Sequence, residues 1–276
     1  MCGATLDLYD LAGLEASLAG TVFAGKLHFS PVTDSTNSDA LAAARSGVPH
    51  GSVYFVDEQR AGRGRGDHAW DSAAGDGLYV SVLLRTLIPA LRLPLLPLAA
   101  GLAAAGAIRT VAGISIDLRW PNDLLIGPRK VGGILVESKI LNGSADYVVV
   151  GIGINVHQRA FAPELTASAT SLDLETERSV SRQHLLVSLL KSLQCEALLL
   201  TDPAAGITIP ARVEQASTWI RGRRVEVHGP QACTGVTVGL DENGFLLVRT
   251  DSGVVTVQTG GIRSAEISGE HHAVSD

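Results

Sequence analysis

The residues able to do chemistry gather in a few short stretches. The densest is Glu58-Gln59-Arg60-Ala61-Gly62-Arg63-Gly64-Arg65-Gly66, where glycine alternates with arginine directly after the strand-like run Val53-Tyr54-Phe55-Val56. Glycine lets the backbone take conformations closed to other residues and bring its N–H groups up to a ligand, while each guanidinium offers a planar fork for carboxylate or phosphate. The stretch therefore reads as a loop that wraps an anion. It is not a P-loop, because Asp67-His68-Ala69-Trp70 follows, with no lysine at the loop's end and no hydroxyl for magnesium. Four further stretches set polar or cationic side chains beside apolar runs: Asp34-Ser35-Thr36-Asn37, Arg119-Trp120-Pro121-Asn122-Asp123, Lys130-Val131-Gly132-Gly133-Ile134-Leu135-Val136-Glu137 and Gly151-Ile152-Gly153-Ile154-Asn155-Val156. In the last, alternating glycines clear one face of a strand so that something packs close to the backbone, and a flat ligand suits that space.

Periodicity indicates the elements that must carry these groups. Leu6 to Leu18 has helical spacing, a strand lies around Lys26 to Phe29, and Ser38 to Ser46 reads as a helix stopped by Gly47, so Asp34 to Asn37 forms a loop at a helix start. Strands at Val53 to Asp57 and Leu78 to Leu84 flank the arginine loop and the Gly75-Asp76-Gly77 turn, and a long Ala-rich helix spans about Leu95 to Val111. Ile116 to Trp120 leads into Leu124-Leu125-Ile126, which turns at Gly127-Pro128-Arg129 into the run from Lys130, a hairpin with its chemistry near the turn. Asp146 to Val156 is strand-like and Ser181 to Leu200 an amphipathic helix. These elements make residues 1–217 an α+β domain with helices against a mostly antiparallel sheet. From Thr218 the texture changes to short strands at Arg224 to Val227, Thr234 to Leu240, Phe245 to Thr250 and Val254 to Gln258, turned by Asp241-Glu242-Asn243-Gly244 and Asp251-Ser252-Gly253. Residues 218–268 thus read as a small SH3-like β-barrel, and 269–276 as a frayed tail. A unit of roughly 50 residues is marginal alone and leans on the larger domain.

With 46% hydrophobic and 18% charged residues the chain is of globular composition, and with only 4% aromatics its core must be aliphatic. A net charge of −6 excludes a global positive field for nucleic acid and leaves the arginine loop as an island. An RNA-binding module built on that loop would also lack aromatic stacking positions beside it. Cys2, Cys195 and Cys233 are far apart and without metal-ligand spacing, which fits a reduced cytoplasm. The N-terminus shows no export signal. Leu87 to Ile108 has the apolarity of a membrane span, but Arg92, Pro94 and Pro97 interrupt it, so a buried helix and no membrane partner are expected.

Taken in order, the five stretches, with Gln59 and Trp70, and the C-terminal Gly261-Ile262-Arg263-Ser264-Ala265-Glu266 resemble biotin protein ligases over nearly the whole chain. The resemblance implies a class II synthetase-like catalytic domain of the biotin/lipoate ligase type followed by the SH3-like domain. It implies that biotin and ATP form biotinyl-5′-adenylate, and that the biotinyl group then passes to one lysine of a biotin carboxyl carrier protein or domain, as in acetyl-CoA carboxylase. Such chemistry needs two anions gathered and the charge on the transferring phosphoryl group neutralised. By resemblance Arg63 and Arg65 hold the biotin carboxylate and the phosphate, and Lys130 bridges the two, with Arg65 and Lys130 catalytic. Ser35, Thr36 and Gln59 meet the ureido ring, Gly133, Leu135 and Gly151 border the biotin slot, and Asn37 and Gly62 also belong to the biotin site. Trp70 covers the adenine, Asn122, Asn155 and Arg263 reach the nucleotide, and Asp123 holds Mg2+. The plainer alternatives are a helix cap for Ser35 to Asn37, an Asx-turn for Asn122-Asp123, a core position for Trp70, a turn lysine for Lys130 and a solvated barrel arginine for Arg263.

Two departures stand out. Gly66-Asp67-His68-Ala69 is less basic than the loop of many relatives, with His68 where an arginine often stands or simply an exposed loop histidine, and Arg119 replaces the usual lysine while keeping its charge. Some relatives carry an N-terminal DNA-binding domain, whereas this chain begins almost at the catalytic domain, so no operator DNA partner is expected. A monomer or a homodimer fits equally. A lipoate or octanoate ligase shares the lysine and the glycine strands, but Gly62-Arg63-Gly64-Arg65, Trp120-Pro121-Asn122-Asp123 and the β-tail point to biotin.

Overall fold

The computed structural model describes residues 9–66, 68–85, 88–202 and 208–265. Cys2, Asp67, Leu87, Glu266, residues 6–8 of the expected first helix and the expected tail at 269–276 lie outside them. The larger sheet contains seven strands, β1 (Leu27–Thr33), β2 (Ser52–Gln59), β3 (Gly77–Leu84), β4 (Asp117–Arg119), β5 (Asp123–Ile126), β6 (Arg129–Leu141) and β7 (Ser144–Asn155), in the order β1-β2-β3-β7-β6-β5-β4. Only β1 and β2 run parallel, so the expected mostly antiparallel sheet is observed.

Strand alternation divides this sheet into two faces with different tasks. Leu78, Val80, Val82 and Leu84 of β3, with Val148, Val150, Ile152 and Ile154 of β7, enter the main core. There they join α3 (Leu95–Ala112) and α5 (Arg182–Thr201), which pack on each other. Both helices are long and apolar enough to cross a membrane by length and composition, but most of α3 is buried in this core. On the other face α2 (Thr36–Arg45) packs Ala40 and Ala44 against Leu83, Tyr147 and Val149. The same face carries two rows across three strands: Tyr79, Gly153 and Gly133 in one, Ser81, Gly151 and Leu135 in the next. The sheet is thus filled on one side and hollowed on the other.

A short α1 (Leu11–Ser17) opens the described chain, while α4 (Leu172–Thr176), α6 (Thr208–Gln215) and a 3-10 turn at Ala90–Arg92 were not expected from periodicity. Helix α2 begins two residues before the expected start, and β6 runs four residues beyond Glu137 to a turn at Asn142-Gly143, both with positive φ. The second sheet, β8 (Arg221–His228), β9 (Cys233–Leu240), β10 (Leu246–Thr250), β11 (Gly253–Val257) and β12 (Gly261–Ser264), is antiparallel in the order β11-β10-β9-β8-β12 and forms the SH3-like domain. It leans on α3 through Gly244, at φ +82°, where a Cβ would lie 2.8 Å from Leu98 and 2.9 Å from Leu95. Trp120 Nε1 donates to the Gly244 carbonyl at 3.0 Å, and Leu246, Val248, Val257 and Ile262 belong to the main core.

Candidate active site

The hollowed face is floored by glycines and walled by polar side chains. The first turn of α2 brings Asn37 onto Gly151, where a Cβ would lie 2.0 Å from Asn37 Oδ1. Asn37 Nδ2 donates to Glu137 Oε2 at 2.8 Å, and its Oδ1 accepts from Ser81 Oγ at 2.5 Å. Gln59, at the end of β2, accepts at Oε1 from the Thr36 N–H at 2.9 Å and from Thr36 Oγ1 at 3.1 Å, and donates from Nε2 to Ser72 Oγ at 2.8 Å. Ser35 occupies the N-cap position of α2 but its side chain does not cap, so the helix-cap alternative fails there: Gln59 takes the first free N–H from another strand. The structure therefore brings Thr36, Asn37, Gln59, Leu135 and Gly151 together, as expected, and adds Ser81, Ser72 and Glu137. Ser81 was legible as the lone serine in the apolar run Gly77–Leu84, and Glu137 stood at the end of a stretch already singled out without a role.

The space over the Gly153 and Gly133 row is filled by Trp70 rather than open. Its Nε1 would be 2.6 Å from a Cβ on Gly153, and its Cζ3 3.5 Å from one on Gly133. This buried N–H has no hydrogen-bond partner among the described residues. A buried donor left unpaired costs about 1–3 kcal/mol, so a core position alone does not account for it. The loop that delivers Trp70 is a narrow reversal, with Trp70 N–H donating to Gly62 O at 2.8 Å and Gly64 N–H to His68 O at 2.7 Å. Gly62 is required there, since a Cβ would lie 2.4 Å from the Trp70 carbonyl. His68 is exposed and contributes only its backbone to these bonds.

The arginines of the loop diverge. Arg63 pairs with Glu137 through two bonds, Nη2 to Oε2 at 2.7 Å and Nη1 to Oε1 at 3.2 Å. Arg65 Nη1 donates to the carbonyl of Gly260 in the SH3-like domain at 2.7 Å and lies 3.4 Å from Asn122 Oδ1. Burial lowers the pKa of Arg65, an effect the charge of Asp123 opposes. Lys130, at the start of β6, reaches Asp123 Oδ1 at 2.5 Å and stands 5.4 Å from the Trp70 ring centre. Asp123 Oδ2 accepts from Arg119 Nη2 at 2.7 Å and Nε at 3.1 Å. Burial by itself would raise the Asp123 pKa, but the charges and hydrogen bonds of Lys130 and Arg119 outweigh it and hold the carboxyl below its ordinary value.

Several expected positions meet other partners. Asp123 has cations on both oxygens, and among the described residues no three His, Cys, Asp or Glu side chains converge to cage a metal. Neither it nor Asn122, whose Nδ2 donates to the Ile134 carbonyl at 2.8 Å, makes an Asx-turn bond among those described. Asn155 is buried and donates to the Thr170 carbonyl at 3.0 Å, so it braces the segment that pairs with Lys130 rather than facing open space. Arg263 is exposed on β12, opposite Glu226, and is not brought into the lysine cluster. Between the two sheets Arg65, Pro94, Trp120, Asn122, Val136 and Phe245 line a cleft of about 260 Å³.

The chain matches the model of the biotin/lipoate A/B protein ligase family over residues 29–155 and that of the biotin protein ligase C-terminal domain over 221–267. It is 32% identical over 264 residues to the bifunctional ligase/repressor BirA of Bacillus subtilis, covering 91% of this chain and 76% of that protein. It is 33% identical over 237 residues to the biotin–[acetyl-CoA-carboxylase] ligase of Mycobacterium tuberculosis, covering 83% and 85% of the two chains. The solved biotin protein ligase of Aquifex aeolicus in complex with biotin and ATP is similar at a TM-score of 0.76 and 30% identity, covering 87% of this chain and all of that one.

Proposed function

This chain belongs to the biotin protein ligase family, and from that premise we propose that it makes biotinyl-5′-adenylate from biotin and ATP and transfers the biotinyl group to a carrier lysine. Biotin and ATP are its substrates. The two relatives and the one solved structure named above are biotin ligases, which removes the lipoate and RNA-binding alternatives. The carrier fits the biotin carboxyl carrier of acetyl-CoA carboxylase, the acceptor named for the Mycobacterium relative.

The observation that carries the residue assignment is the polar cluster at one end of the glycine rows. The Ser81 hydroxyl has one proton for two acceptors, Thr36 Oγ1 and Asn37 Oδ1. A ureido ring, with two N–H donors and one carbonyl acceptor, supplies the donor this cluster lacks. With Trp70 moved from over Gly133, that residue, Gly151 and Leu135 border the bicyclic ring and its chain, while Arg63 and Arg65 exchange their present partners for the biotin carboxylate and the α-phosphate. Trp70, with its unpaired N–H, covers the nucleotide, and Asn122 lies beside it.

In the first step a biotin carboxylate oxygen attacks the α-phosphorus, and the bond to the bridging oxygen breaks, with pyrophosphate leaving on the electron pair. Lys130 and Arg65 stabilise the charge that builds on the phosphoryl oxygens. In the second, the neutral carrier amine attacks the acyl carbon, loses its proton to solvent and expels AMP. The described residues do not fit a resident metal, so magnesium enters with the ATP phosphates as part of the substrate. Asn155 and Arg263 support this site from outside it, Asn155 through the Thr170 carbonyl and Arg263 on the strand that follows Gly260. The deciding test is biotin-dependent exchange of labelled pyrophosphate into ATP: exchange is expected, and its absence in folded protein overturns the proposal.

A further inference from the structure

The three-residue strand β4 is stitched to the segment that leads into the SH3-like domain. The Leu118 N–H donates to Ala216 O at 3.4 Å and Ser217 Oγ donates to Leu118 O at 2.5 Å. Asp117 accepts from the Thr218 N–H at 2.8 Å and from its hydroxyl at 2.6 Å. The next residue, Trp219, is buried, and its ring takes the guanidinium of Arg119 at 5.3 Å and that of Arg223 at 4.0 Å. Arg223 in turn donates to Ser264 Oγ on β12 at 2.9 Å. Arg119 aims Nε and Nη2 at one oxygen of Asp123, which leaves the other for Lys130. An unbroken line of contacts therefore runs from the small sheet through Trp219, Arg119 and Asp123 to the lysine.

A lysine ammonium on a flexible four-carbon stem has little directional preference of its own. A carboxylate gripped by a two-pronged guanidinium, itself laid on an indole, gives it one. We propose that Arg119 is a positioning residue for adenylate formation, holding Asp123 against the root of the SH3-like domain so that Lys130 Nζ is presented at a fixed place. This rests on the assignment of Lys130 to the phosphoryl transfer. It gives the small domain an effect on the chemistry through its root, separate from any contact it makes with substrate.

The test is pyrophosphate exchange by the full chain carrying Arg119→Leu or Arg119→Lys. A misplaced catalytic group costs up to about 100-fold, so Arg119→Leu is expected to lower kcat about 10- to 100-fold. Its KM for biotin is expected to stay within about twofold, because biotin binding does not pass through this line. The acid limb of kcat moves to higher pH, because Asp123, left with Lys130 and Arg65 as its nearby cations, protonates more readily. Arg119→Lys, which restores a charge but not the two-pronged grip, recovers kcat only in part, to between the leucine variant and wild type. Arg119→Gln carries the same expectation if the leucine variant does not fold. Arg221→Gln, which loses a pair with Glu214 instead, leaves kcat unchanged. An inert wild type sinks the ligase proposal and this inference together. An active wild type with unchanged kcat and pH profile in the neutral Arg119 variants, or a loss that lysine does not recover even in part, sinks the inference alone.

Discussion

Lys130 extends its amine to Asp123 at 2.5 Å, within a cluster that also contains Arg119 and the Trp70 ring. Removing a preorganised charge-stabilising group of this kind costs on the order of 10²–10³ in rate, so Lys130→Ala is expected to lose that much pyrophosphate exchange while circular dichroism remains that of the folded protein. Wild-type exchange by the variant would refute the role. The same cluster sets a pH dependence of stability. Asp123 has its folded pKa below the ordinary value, so its contribution is complete above the unfolded value of about 3.9 and is lost as pH falls through the lower folded one. Acid titration of stability is therefore expected to show a steeper loss below about pH 4 in wild type than in Asp123→Asn. Parallel curves would show that Asp123 contributes nothing there. The sequence marked Lys130 and Asp123 as chemical residues but assigned the carboxylate to magnesium, because an Asn-Asp pair does not reveal which cations the fold will set beside it.

At the scale of elements, the hollowed face depends on glycines placed in register on β6 and β7. Gly151 was legible from its alternation with Gly153, and the structure supplies the reason: a Cβ would strike Asn37 Oδ1 at 2.0 Å. Gly151→Ala is expected to lower stability by about 1–3 kcal/mol, as overpacking does, and to raise KM for biotin more than KM for ATP. Equal KM values in variant and parent would separate Asn37 from biotin. The alternation of arginine and glycine was legible in the sequence, but not the partners that hold the arginines in the folded chain. Arg63 and Arg65 are held apart by Glu137 and by the Gly260 carbonyl. On the proposed assignment substrate binding exchanges these partners, so cleavage of the loop by trypsin is expected to slow when biotin and ATP are both present. Identical cleavage with and without them would argue that the loop does not close on substrate.

Across the whole molecule, the two sheets share one apolar core and meet at Gly244, Trp120 and the Arg65–Gly260 bond. Gly244→Val places side-chain atoms into Leu95 and Leu98 and forces a β-branched residue to φ +82°. A penalty of about 2–3 kcal/mol then follows, which lowers the melting temperature by roughly 5 °C or more. Because the core is continuous, a single calorimetric transition is expected to move. Two separated transitions would show that the sheets unfold independently.

Local patterns sufficed for the strands other than β12, the arginine-glycine loop, the glycine alternation and the order of motifs that resembles biotin protein ligases, since each depends on residues close along the chain. The partners of the site depended on distance closed by folding. Gln59 caps a helix 23 residues away in sequence, Asn37 reaches Glu137 across 100 residues, and Arg65 reaches Gly260 across 195. No local period encodes such pairs, because a side chain's partner is set by which strand lies beside it and which face it turns to the core. Only the tertiary structure could decide that Asp123 binds Lys130, that Asn155 braces a loop and that Trp70 lies over the glycines.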